Sequence, residues 1–150
     1  MRRGAAIASV LLASLTGCGS SGTPDAAVGF CTDQDPPLPT FTNVQRLLTG
    51  ICTTCHVATV ELDLQPAVSY ANLVNRPPPN YTTPPTDESC GIVLVKPGDP
   101  AGSYLYQKVS LDMPCAGGRM PQTDIGLPSP LVPCAQALIH DWIAAGAPND

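Results

Sequence analysis

Apolar positions along this chain gather into short helical stripes, separated by long stretches rich in proline, glycine and polar residues. Phe41, Val44, Leu47, Leu48 and Ile51 recur at helical spacing and predict a first helix over 42–56. Thr42 followed by Gln45 has the form of a capping box at its start. Gly50 is costly inside a helix, so it either admits a close neighbour or marks where the helix frays. Leu64, Val68, Ala71 and Leu73 give a weaker helical pattern over 60–75. A turn-rich lead at 95–100 precedes a short helix over 103–109, with Leu105 and Val109 on one face. The last stripe is Leu138, Ile139, Trp142 and Ile143. Pro133 suits the first turn of that helix, and Gly146 with Pro148 ends it.

Between the stripes, 76–90 is proline-rich and predicts an extended surface loop that acts as a spacer. Residues 115–133 form a second long loop, dense in glycine and proline. The expected class is therefore all-α: a small domain of three to four short helices with long Pro/Gly-rich loops. Aromatic residues make up only 5% of the chain, which is thin for a core of this size.

The first residues read as a processing signal. Arg2 and Arg3 precede an apolar run over 7–15 that is too short to span a bilayer. The run ends in Leu15-Thr16-Gly17-Cys18, which looks like a bacterial lipobox; that resemblance implies cleavage before Cys18 and its diacylation. The alternative is a plain secretory signal with an incidental cysteine. The chain divides into a signal over 1–17, a lipidated cysteine and flexible tether over 18–39, and a folded domain over 40–150. About twenty tether residues reach about 25 Å. Either signal places the mature domain outside the cytoplasm. Gly19, standing where an acidic residue often signals inner-membrane retention, points to the outer membrane.

The formal charge of −5 becomes −7 once Arg2 and Arg3 leave with the signal. No basic patch exists, which argues against a nucleic-acid partner. An electrostatically steered partner protein should present a basic docking patch.

One stretch carries chemistry: Cys52-Thr53-Thr54-Cys55-His56. Cys-x-x-Cys-His is the attachment signature of c-type haem. Residues three apart on a helical turn share a side, so both sulfurs can reach one porphyrin, with His56 placed to ligate the iron. Three other readings exist. No βαβ pattern supports a thioredoxin-like pair. No second Cys-x-x-Cys or His-x-x-x-His completes a zinc site. An ordinary disulfide in a cysteine-rich secreted domain is the third. A buried porphyrin would also supply the bulk that the sparse aromatics lack.

A sixth iron ligand should come from Met120 or Met113, both of which precede proline. Met120 is favoured because Gly117 and Gly118 free the backbone to lie close to a ring. His140, beside Asp141, reads as a solvated imidazole, with bis-His ligation of the iron as the alternative. Tyr104 and Tyr106 read as packing residues, with a hydrogen bond to a haem propionate as the other option. Cys31, Cys90, Cys115 and Cys134 remain for disulfides, with three possible pairings. Cys115–Cys134, closing the Met120 loop, together with Cys31–Cys90 is the favoured set.

Together these residues resemble the class I cytochrome c family. More narrowly, Pro97-Gly98-Asp99-Pro100, Ser103-Tyr104-Leu105, Arg119-Met120-Pro121 and Ile139-His140-Asp141-Trp142-Ile143 look like the planctomycete-type cytochrome c domain of bacterial lipoproteins. The resemblance spans 41–147. It implies a cytochrome c-like fold around one covalent haem c, with Cys52 and Cys55 as thioether attachments, His56 as proximal ligand and Met120 as distal ligand. It implies a membrane-tethered carrier of single electrons to and from redox partner proteins, not an enzyme. The competing functions are a haem peroxidase or small-ligand sensor with a labile distal ligand, and a haem-free, disulfide-rich binding lipoprotein.

Overall fold

A computed structural model describes residue 31 and residues 35–59, 61–79, 93–123 and 125–150. Expectations for the signal, for Cys18 and its lipid, for Cys90 and for most of the proline loop lie outside these residues. The described part is largely helical, with three isolated bridges and no extended sheet. Four helices follow in order: α1 (Phe41–Ile51), α2 (Ser69–Leu73), α3 (Tyr104–Ser110) and α4 (Pro133–Ala144). The all-α class holds among the described residues. None of their helices is long and apolar enough to cross a membrane.

α1 forms where the apolar stripe predicts, and Phe41, Val44, Leu47 and Leu48 are its buried face. Its cap is Thr40, whose hydroxyl accepts from the Asn43 amide at 3.3 Å. The capping box expected at Thr42 is corrected, because its partners are taken from far away in sequence. Thr42 Oγ1 donates to the Asp150 carbonyl at 2.8 Å, and Gln45 Nε2 donates to Leu64 O at 3.1 Å. The helix also stops five residues early, at Ile51. Nothing lies within 4 Å of where a Cβ on Gly50 would stand, so Gly50 marks the fraying end and not a close approach.

The pattern over 60–75 condenses to the five residues of α2. Leu64 and Leu73 are buried, whereas Val68 stays exposed. Pro66 lacks an amide to donate, so a helix begun earlier would lose a backbone bond there. α3 buries Leu105 and Val109 as expected. α4 begins with Pro133 and buries Leu138, Ile139, Trp142 and Ile143. Gly146, at φ 96°, takes the left-handed turn that ends it.

α4 packs against both α1 and α3, and Trp142 is the fully buried centre. The Phe41 ring lies 5.5 Å from Trp142, and Tyr70 meets Phe41 edge-on at 4.9 Å. The indole N–H donates to Pro148 O at 2.9 Å, so burial leaves no donor unpaired. Asp150 closes the crossing by accepting from the Phe41 amide through Oδ1 and from the Thr42 amide through its carbonyl.

The favoured disulfide set is corrected. Cys134 is bonded to Cys31, with Cα atoms 5.8 Å apart. Cys134 sits buried in the first turn of α4, and Cys31 lies buried beside it. Cys115 is instead held on the α3 side, where the neighbouring Ala116 carbonyl accepts from Tyr104 Oη and Lys108 Nζ. Cys115 and Cys55 are each in a disulfide, and Cys52 is the free thiol among the described residues.

Candidate functional site: the Cys52–His56 turn and the Met120 loop

The Cys-x-x-Cys-His stretch makes one further turn beyond α1. Cys55 N donates to Cys52 O at 3.1 Å and His56 N to the same oxygen at 2.8 Å. Thr53 ties the turn back, its amide to Leu48 O and its hydroxyl to Thr49 O. An i→i+4 bond from residue 56 to residue 52 is a helical turn in all but continuity, so the spacing argument survives the earlier helix end.

The chain then doubles back over the histidine. Leu64 N donates to His56 O at 3.0 Å, and His56 Nδ1 lies 3.2 Å from Leu62 O. A carbonyl can only accept, so this contact places the ring proton on Nδ1. In the neutral ring Nε2 then keeps the lone pair. A metal-ligating histidine almost always carries this second hydrogen bond.

The two sulfurs differ. The Cys52 thiol is pushed up to about 12 by burial, although part of the residue's surface stays exposed. It packs against the edge of the core, as Ile51 and Leu62 also do. Cys55 is oxidised in a disulfide. A disulfide sulfur has no S–H to add across a vinyl group, so Cys55 must be a thiol before it can form a thioether.

Met120 is half-buried, whereas Met113 is 89% exposed. The loop before Met120 is laced to the end of α3. Met120 N donates to Lys108 O at 2.7 Å, and Lys108 Nζ donates to Ala116 O and Gly118 O at 3.0 and 2.5 Å. Gly117 lies against this lacing, where a Cβ would stand 3.0 Å from Lys108 Nζ. Gly117 sits at φ 63°, and a Cβ on Gly118 would stand 2.5 Å from Gln122 Nε2. Burial lowers the Lys108 pKa from its ordinary value.

Sequence alone assigns Arg119 no role, because nothing in it marks an arginine in a loop as buried. Its side chain is only 9% exposed; it pairs with Asp112 through Nη1 and donates from Nη2 to Val109 O at 3.3 Å. Its buried Nε has no acceptor.

The remaining expectations fall on packing. Tyr104 Oη donates to Ala116 O at 2.6 Å, and Tyr106 meets the His140 ring at 5.2 Å. His140 Nδ1 lies 2.8 Å from Asp141 Oδ1 on the partly exposed side of α4. A groove of about 640 Å³, lined by Phe41, Gln45, Thr49, Gly50, Pro66 and Asp150 among others, runs along α1 and includes none of the motif residues. Among the described residues no three His, Cys, Asp or Glu side chains cluster as a metal site. A ligand set of one histidine and one methionine requires no such cluster. No family model, curated protein or solved structure matches this chain.

Proposed function

We propose that the chain is a mono-haem c-type cytochrome with a cytochrome c-like fold, an extracytoplasmic carrier of single electrons. The observation that carries this reading is the imidazole of His56, oriented by Leu62 O at Nδ1 and ending a Cys-x-x-Cys-His turn. The unpartnered donor on Arg119, next to Met120, also fits a cofactor that brings carboxylates.

When bound, the haem supplies a one-electron Fe(III)/Fe(II) couple. Cys52 and Cys55 would hold it as thioethers once Cys55 is reduced. His56 would ligate through Nε2, and Leu62 O would fix the ring plane and raise ligand basicity. Met120 would supply the second protein ligand to the iron, from a loop pinned to α3 through Lys108. Met113, on the exposed side, is the less suitable methionine. Were His56 and Met120 both given to the iron, the protein would leave no position there for substrate, which is why the reading is a carrier and not a peroxidase or sensor. The lipobox-like Cys18 and the tether over 18–39 would hold the domain at a membrane, with the outer membrane favoured by Gly19. The acidic charge suits a redox partner with a basic docking patch.

The disulfide at Cys55 favours a second reading, a haem-free module stapled by disulfides. Met120→Ala and carbon monoxide test the leading one. The haem-loaded wild type should show the far-red sulfur-to-iron band and resist carbon monoxide when reduced. Met120→Ala should lose the band and bind the gas. A wild type that binds carbon monoxide readily is the peroxidase or sensor, and one that takes up no haem is the stapled module.

A further inference from the structure

Arg119 is an arginine that the fold has taken out of water without using all of it. Its residue is 8% exposed. One terminal nitrogen pairs with Asp112 and the other donates to Val109 O at the end of α3. Nε–H is buried and meets no acceptor. A buried donor left unmade costs about 1–3 kcal/mol, more when the group is charged. Such a donor survives in a native site when a ligand supplies the acceptor. A guanidinium is a cation whose donors sit in a fixed fork. Its one protein carboxylate, Asp112, is 93% exposed and therefore well screened. An anionic group is the acceptor that a guanidinium bonds most strongly, and the site lies one residue from Met120.

We infer that Arg119 is a carboxylate-binding residue whose Nε–H donates to a propionate of the haem, while its two Nη groups hold the Met120 loop against the end of α3. The inference rests on the haem reading above and adds a residue that it did not need. A carboxylate pinned to the arginine would tie the porphyrin edge to the segment that carries Met120. Arg119 is a positioning residue for Met120 as well as a ligand for the carboxylate.

The test uses iron mesoporphyrin, which has no vinyl groups and cannot attach covalently, and its dimethyl ester, which has no free carboxylate. Each is titrated into the full-length, haem-free mature chain, followed by Soret absorbance. Wild type should prefer the free acid by about tenfold or more, the size of a charge-assisted hydrogen bond. Arg119→Met should reduce that preference to about onefold. Arg119→Lys, which keeps the charge and loses the fork, should fall between. Comparing the acid-to-ester ratio across variants cancels the greater oiliness of the ester. An Arg119→Met protein that still prefers the acid as wild type does overturns the inference and leaves the haem reading standing. Wild type that binds neither porphyrin overturns both. If Arg119→Met does not fold, Arg119→Lys decides: an unchanged ratio there refutes a role for the Nε–H fork.

Discussion

The Nδ1 atom of His56 lies 3.2 Å from the carbonyl oxygen of Leu62, across a loop that closes again through Leu64 N and His56 O. This sets the tautomer before any ligand arrives. In the haem-free protein the neutral ring of His56 should carry its proton on Nδ1. Long-range ¹H–¹⁵N correlation spectra distinguish the two nitrogens, and a proton on Nε2 would remove the preorganisation claimed for this residue.

Trp142 carries the crossing of α1 and α4, fully buried against Phe41 and bonded to Pro148 O. Trp142→Ala should cost about 3–5 kcal/mol in urea unfolding, the usual range for a large buried aromatic. A loss below about 1 kcal/mol would mean that this packing is not the centre of the domain.

Much of this core was legible from spacing alone. The stripes of α1, α3 and α4 repeat every three to four residues, and their buried faces follow. What spacing could not show were contacts that join distant parts of the chain. Thr42 looks like a cap until Asp150, 108 residues away, takes its hydroxyl. Gln45 looks like its partner until Leu64 O takes the amide. Cysteine pairing fails for the same reason, since four cysteines in sequence contain no record of which are neighbours in space. The site divides likewise: Cys52, Cys55 and His56 form a local motif and read directly, whereas the burial of Arg119 depends on α3 folding over it.

Burial pushes the Cys52 thiol from an ordinary 9.0 to about 12. At pH 8 its thiolate fraction should be lower by roughly a thousandfold than that of an unperturbed thiol, and iodoacetamide should label it that much more slowly. The folded pKa is raised, so its stabilising contribution is complete below about pH 9 and is lost as pH rises towards 12. Labelling of the haem-free folded chain at the rate of the unfolded chain would place the sulfur in solvent.

Cys31 and Cys134 are bonded across 103 residues of sequence. Breaking the bridge with Cys31→Ser and Cys134→Ser together should destabilise the domain by about 2–5 kcal/mol, by chain-entropy reasoning for a loop of this length. A non-reduced peptide map should show the two residues on linked fragments. Linkage of Cys134 to Cys115 instead would reverse the assignment.

Covalent iron is the claim on which the function rests. The most direct measurement is the absorbance and intact mass of the exported, mature chain after denaturation and acid extraction. One haem per chain should stay with the polypeptide, with the alkaline pyridine spectrum of two thioether bonds at Cys52 and Cys55. A chain with the mass of its peptide and lipid alone, and no Soret band, would contradict it.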